Sequence, residues 1–157
     1  MHDMELEQLD VKIAFLHGDL EEVIYMQQHE GFKEPGKEDY VCLLKRSLYG
    51  LKQSPRQWYK LFDSLMVTHR YMCCEYDYCV YFRVLADGSY IFLALYVNDM
   101  LVAAKSKQEI VKLKSLLSSE FDMKDLGVAK KILGIEFTEI EGLINYGYLR
   151  RDILRRC

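Results

Sequence analysis

An apolar run that breaks once, at a polar pair, and resumes at once leaves a chain few ways to fold. Leu93-Ala94-Leu95-Tyr96-Val97 leads into Asn98-Asp99, and Met100-Leu101-Val102-Ala103 follows directly. Each flank is of strand length, and Asn-Asp is a favoured tip for a tight β-turn. The stretch therefore reads as a hairpin holding two short polar side chains at its tip, beside a buried sheet. A carboxylate held there by unyielding strands can grip a hard cation such as Mg²⁺. An ordinary surface hairpin would look the same in this segment alone.

The rest of the chain supplies partners for that hairpin. From Leu9 to Leu16 apolar and polar residues alternate with a strand-like period of two, and Asp10 sits inside the pattern. A carboxylate there belongs at a strand end or beside a cation, because burying it unpaired is costly. Val23-Ile24-Tyr25-Met26 is a short strand candidate, and Glu30 to Asp39, with Gly31, Pro35 and Gly36, is a surface loop. Between Val41 and Phe62 there is no acidic residue, while Lys45, Arg46, Lys52, Arg56 and Lys60 are interleaved with Tyr49, Trp58 and Tyr59. That mixture suits a phosphate backbone with stacked bases, and it also suits the solvated face of one helix.

Ser54-Pro55 opens a helix whose apolar stripe is Trp58, Leu61, Phe62, Leu65 and Met66, ending near His69-Arg70. Strands are expected at Tyr78 to Val84, Tyr90 to Val97 and Met100 to Ala104, the first two joined through Asp87-Gly88. Ser106-Lys107-Gln108-Glu109 matches a capping box, and Ile110, Leu113, Leu116, Leu117 and Phe121 form the buried face of the helix behind it. Ile132 to Phe137 is a further strand candidate, and a basic tail runs from Leu149 to Cys157. The order predicts an α+β fold: an antiparallel sheet with helices packed on one face.

Composition narrows the class. Half of the 157 residues are hydrophobic and 13% are aromatic, enough for a real core in one domain. The net charge of −3 gives no global nucleic-acid signature. Five cysteines without a C-x-x-C pair, and four scattered histidines, argue against a zinc site. They are read as reduced thiols of an intracellular protein, cytoplasmic or nuclear and not secreted. The longest apolar run, Ile91 to Val97, is too short to span a bilayer, so no membrane partner is expected.

Four ordered segments carry a family resemblance. They are Gln8-Leu9-Asp10-Val11-Lys12 with Ala14-Phe15-Leu16-His17-Gly18; Ser47-Leu48-Tyr49-Gly50-Leu51-Lys52-Gln53-Ser54-Pro55-Arg56 with Trp58; Tyr96-Val97 with Asp99; and Glu120-Phe121 with Met123-Lys124-Asp125-Leu126-Gly127, then Leu133-Gly134-Ile135. Together, from about residue 5 to about 137, they resemble the reverse transcriptase of copia-type long-terminal-repeat retrotransposons. The resemblance implies a single fragment, residues 1–157, of a polymerase palm, truncated, with fingers and thumb incomplete or absent. It implies a catalytic set at Asp10, Asn98 and Asp99, with Asp10 and Asp99 as metal ligands for two Mg²⁺ ions in an intact member. Phe15 would be the ring that excludes a ribose 2′-hydroxyl. Val11, Tyr49 and Gly50 would line the incoming nucleotide, and Lys52, Gln53 and Arg56 would lie along the template side. Implied partners are an RNA or DNA template-primer, dNTPs and the other domains of a Pol polyprotein.

The chain departs from the family at position 98, where an Asp-Asp pair would place a carboxylate and this chain has Asn. Asn keeps the shape and removes a full charge beside a dication. Losing such an anion costs at least ~3–4 kcal/mol, roughly a thousandfold in rate. The expectation is an RNA-directed DNA polymerase fragment with impaired two-metal nucleotidyl transfer and weak nucleic-acid binding on its own. The alternative is a catalytically dead remnant that acts at most as a binding domain.

Overall fold

A computed structural model of the chain describes residues 4–132, 135–136, 138–140 and 143–145. Leu133, Gly134, Phe137, the basic tail and Cys157 lie outside the described residues. The strands are β1 (Glu5–Val11), β2 (Tyr25–Gln27) and β3 (Val41–Leu43), followed by helix α1 (Ser54–Thr68). Then come β4 (Met72–Cys74), β5 (Asp77–Val84), β6 (Tyr90–Tyr96), β7 (Asp99–Ala104), helix α2 (Lys107–Glu120) and β8 (Met123–Val128). Short strands close the described part: β9 (Lys131–Ile132), β10 (Ile135–Glu136), β11 (Thr138–Ile140) and β12 (Leu143–Asn145). The fold is α+β. The chain clusters into two compact units, Ile13–Asp63 and the residues on either side of that segment.

The flanking unit is built on an antiparallel six-stranded sheet in the order β4-β5-β6-β7-β1-β8. Period-two burial separates its two faces. Leu9, Val11, Ile91, Leu93, Leu95, Met100 and Val102 are buried on one of them. Glu7 shares that face and pairs with Lys114 of α2, so this is the helix-covered side, and α2 packs on β7. Ile110, Leu113 and Leu117 are the buried face of α2, with Phe121 just past its end. The other face carries Leu6 and Leu101, packed with Ala129, Ala94 and Ala103. Asp10 lies on this second face by the same alternation.

α1 ends in a Schellman motif. The Arg70 N–H donates to the Val67 carbonyl at 2.9 Å, that of Tyr71 to Met66 at 3.0 Å, and Arg70 takes a φ of 62°. The buried stripe of α1 is Trp58, Phe62 and Met66, while Leu61 is exposed and Leu65 half-buried, narrower than the periodicity suggested.

In the unit Ile13–Asp63, β2 and β3 form a hairpin, Tyr25 opposite Leu43 and Gln27 opposite Val41. Ser47 N–H donates to the Gly18 carbonyl at 2.9 Å. Gly18 packs so closely on α1 that an added Cβ would lie 2.9 Å from Gln57 Cβ.

Several expectations are corrected. The first strand stops at Val11, because Ile13 turns into the left-handed region (φ 48°) and Ala14–His17 is a 3₁₀ turn. The capping box does not form, since Ser106 makes no side-chain cap bond and Glu109 instead pairs with Lys112 and Arg83. The Ser54 hydroxyl donates to the Leu48 carbonyl at 2.7 Å, so it ties down the preceding turn. Ile132 and Ile135 face each other in a short antiparallel pair, so that segment is not one strand. Cys42 and Cys79 are free thiols, whereas Cys74 is disulfide-bonded, so five reduced thiols is not the state observed.

A candidate polymerase centre

Two strands and one turn build the centre. β1 runs antiparallel to β7 with Asp10 directly opposite Asp99, and directly opposed residues point to the same face. On its other side β1 pairs with β8, and there Asp10 is opposite Lys124. Lys124 was visible only as part of a motif; nothing in the sequence pattern singled it out as a neighbour of Asp10. The β1–β8 ladder, with a register shift between Gln8 and Leu9, puts it there.

The turn between β6 and β7 is one residue earlier than expected. Tyr96 pairs with Asp99, so the tip is Val97-Asn98 and Asp99 is already in the strand. Val97 carries a φ of 57° and Asn98 does not have a positive φ, the pattern of a type II′ hairpin. A β-branched residue in that region is strained, and Ile13, close after Asp10, is strained in the same way. Both strained residues therefore flank the carboxylates in sequence.

Asn98 is bound twice to β1. The Val11 N–H donates to the Asn98 carbonyl at 2.8 Å, and Asn98 Nδ2 donates to Asp10 Oδ1. An ionised carboxylate only accepts hydrogen bonds, so the amide NH₂ is what must face it. Asp10, Asn98 and Asp99 are all half-buried. The Val11 side chain, by contrast, is buried in the core on the helix side. Lys12 turns to Asp122, its Nζ 3.0 Å from the carboxylate, and its N–H donates to the Asp122 carbonyl.

The remaining candidates belong to the unit Ile13–Asp63. Phe15 and Tyr49 stack with ring centroids 4.6 Å apart, tilted by 46°. Tyr49 is half-exposed, and Gly50 follows it with a φ of 94°, a conformation that favours glycine. Lys52 and Arg56 are exposed, Gln53 is half-buried, and the Gln53 carbonyl accepts from Gln57 N–H at 3.0 Å in the first turn of α1. A glycine turn thus presents one aromatic ring and two cations on one continuous segment.

A family model described as reverse transcriptase (RNA-dependent DNA polymerase) matches residues 1–153. The chain belongs to this family. Among relatives of this reverse transcriptase chain is the retrovirus-related Pol polyprotein from transposon TNT 1-94 of Nicotiana tabacum, 58% identical over 134 residues. That match covers 85% of the chain and 10% of the polyprotein. The putative transposon Ty5-1 protein of Saccharomyces cerevisiae is 38% identical over 127 residues, covering 81% of the chain and 41% of that protein. The Pol polyprotein from transposon RE2 of Arabidopsis thaliana is 36% identical, covering 83% of the chain and 9% of the polyprotein. The chain thus spans a small part of the Pol polyproteins it matches, and less than half of the Ty5-1 protein.

Reverse transcriptases generally use a divalent metal. The donor set in this chain does not fit a pair of such ions. Among the described residues no three His, Cys, Asp or Glu side chains gather as a cation cluster. Asp10 and Asp99 supply two carboxylates, and one oxygen of Asp10 is already taken by the Asn98 amide. No helix of the described residues is long and apolar enough to cross a membrane.

Proposed function

We propose that this chain is the palm portion of an RNA-directed DNA polymerase from a retrotransposon, with nucleotidyl transfer impaired by Asn98. The observation that carries this reading is the β1–β7 register, in which the carboxylates of Asp10 and Asp99 stand opposite each other beside a tight turn. In this reading Mg²⁺ is the cation of the parent enzyme, and Asp10 and Asp99 are what remains of its ligands. Phe15, braced by Tyr49, would discriminate against the ribose 2′-hydroxyl. Gly50 would let the backbone approach a nucleotide, and Lys52, Gln53 and Arg56 would lie toward a template. The template-primer, dNTPs and the other Pol domains are the partners of the whole polyprotein.

The test joins this chain to the missing polyprotein segments and measures dNTP incorporation on an RNA template with Mg²⁺. The expected rate is lower than that of the Asn98→Asp variant by on the order of a thousandfold, the cost of one missing anion. Full incorporation that the Asn98→Asp change leaves unaltered would overturn the reading.

A further inference from the structure

Three observations at the end of the β1–β7 pair combine into something the family relationship does not contain. Asp10 and Asp99 are directly opposed, and like charges so placed repel. Asn98 donates its amide to Asp10, and its carbonyl accepts from the Val11 N–H, so side chain and backbone both tie the turn to β1. No third acidic, histidine or cysteine side chain joins the two carboxylates among the described residues. A divalent cation at such a strand end would do two things: neutralise the facing carboxylates and hold the turn against the strand. The Asn98 amide already holds the turn and donates to one of the carboxylates.

We propose that Asn98 makes this end of the β1–β7 pair independent of metal, its amide acting as a built-in substitute for a divalent ion that clips the β6–β7 turn to Asp10. The proposal concerns the same site as the polymerase reading and rests on it only for which ion is replaced. Its readout is the stability of the isolated chain, so it can fail while the polymerase reading stands, and the reverse.

The experiment compares the full chain with its Asn98→Asp and Asn98→Ala variants by thermal melting in EDTA, in Mg²⁺ and in Mn²⁺, with Mn²⁺ binding followed calorimetrically. The unaltered chain should melt at the same temperature in all three conditions. Asn98→Asp exchanges a donated hydrogen bond for a third carboxylate, so in EDTA its Tm should fall by roughly 3–10 °C. Millimolar Mn²⁺ should restore that loss, and this variant should bind Mn²⁺ at least ~10-fold more tightly than the parent chain, since binding to the folded state alone stabilises it. Asn98→Ala should fall in EDTA too, without the same recovery. If Asn98→Asp does not fold in EDTA, refolding on Mn²⁺ addition supports the proposal. If it folds under neither condition, the Asn98→Ala comparison decides. A parent chain that gains stability from Mn²⁺ as much as Asn98→Asp does, or an Asn98→Ala variant as stable as the parent in EDTA, overturns it.

Discussion

Single residues decide where backbone and side chain can approach. Gly18 has an ordinary φ of −75°, so no turn demands a glycine there. What demands it is α1, since an added Cβ would lie 2.9 Å from Gln57 Cβ and 3.1 Å from the Trp58 nitrogen. Helix backbone cannot yield as a flexible side chain would. Gly18→Ala should therefore destabilise the chain by about 2 kcal/mol, read as a Tm lower by roughly 4–8 °C. At this scale the sequence was only half legible. Asn98 and Asp99 stood out as a polar break in an apolar run, yet the turn is Val97-Asn98. Nothing in a β-branched valine announces a φ of 57°, so propensity pointed one residue too far along. The Asn98–Asp10 contact joins residues 88 positions apart and is visible only once β1 lies beside β7.

Among the elements, α2 is fastened to the sheet by charge as well as by its apolar stripe. Glu7 of β1 faces the helix with a side chain only 7% exposed, and Lys114, 12% exposed, reaches both Glu7 and Asp125 of β8. Lys107 stands 3.8 Å from the same Glu7. The hydrogen bond from Lys114, helped by the Gly127 N–H, holds the Asp125 carboxyl below the ordinary carboxylate range despite some burial. Burial works against the charged Lys114, but the bonds to Asp125 and Glu7 outweigh it and raise its pKa. The lowered carboxyl stabilises the fold above its ordinary pKa, and that share is lost as pH falls through the lowered value. The raised lysine stabilises below its ordinary pKa and loses its share as pH rises through the raised value. The pair is therefore fully effective between about pH 4 and 10. Lys114→Met leaves the buried Glu7, among the described residues, with the exposed Lys107 at 3.8 Å, and should cost about 3 kcal/mol at neutral pH, a Tm drop of roughly 6–12 °C. Melting curves should show the gap to the parent chain narrowing as pH falls below about 4, as the lowered Asp125 carboxyl protonates. Strands β5, β6 and β7 and both helices were legible because their periodicities are strong, whereas β1 was legible only from Leu9 to Val11. β4 and β8 were not: they are the outer strands of the sheet, and β8 is mostly exposed, so no apolar alternation marks it.

For the molecule as a whole, charge decides what the chain can hold alone. The net charge is −3, and Lys45, Arg46, Lys52 and Arg56 are exposed in the same unit as Glu21, Glu22, Glu30, Glu34, Glu38 and Asp39. Little counterion release is available from so mixed a surface. The isolated chain should bind an RNA–DNA duplex no more tightly than about 1 μM at physiological salt, in the range of non-specific binding, as measured by fluorescence anisotropy. Nanomolar affinity would mean that the basic segment before α1 acts independently of its acidic neighbours. The family was legible from four ordered motifs, whereas the division into two compact units was not, because it depends on contacts between distant segments. The two-residue tip between β6 and β7 has a consequence for how such a sequence can drift. Point substitutions there leave the ladder in place, but one inserted amino acid would have to be absorbed as a bulge or would rotate every side chain of β7 through the plane of the sheet. Met100 and Val102 would then leave the face that α2 covers and Asp99 would enter the core there, so this loop tolerates exchange of its letters far better than any change in their number.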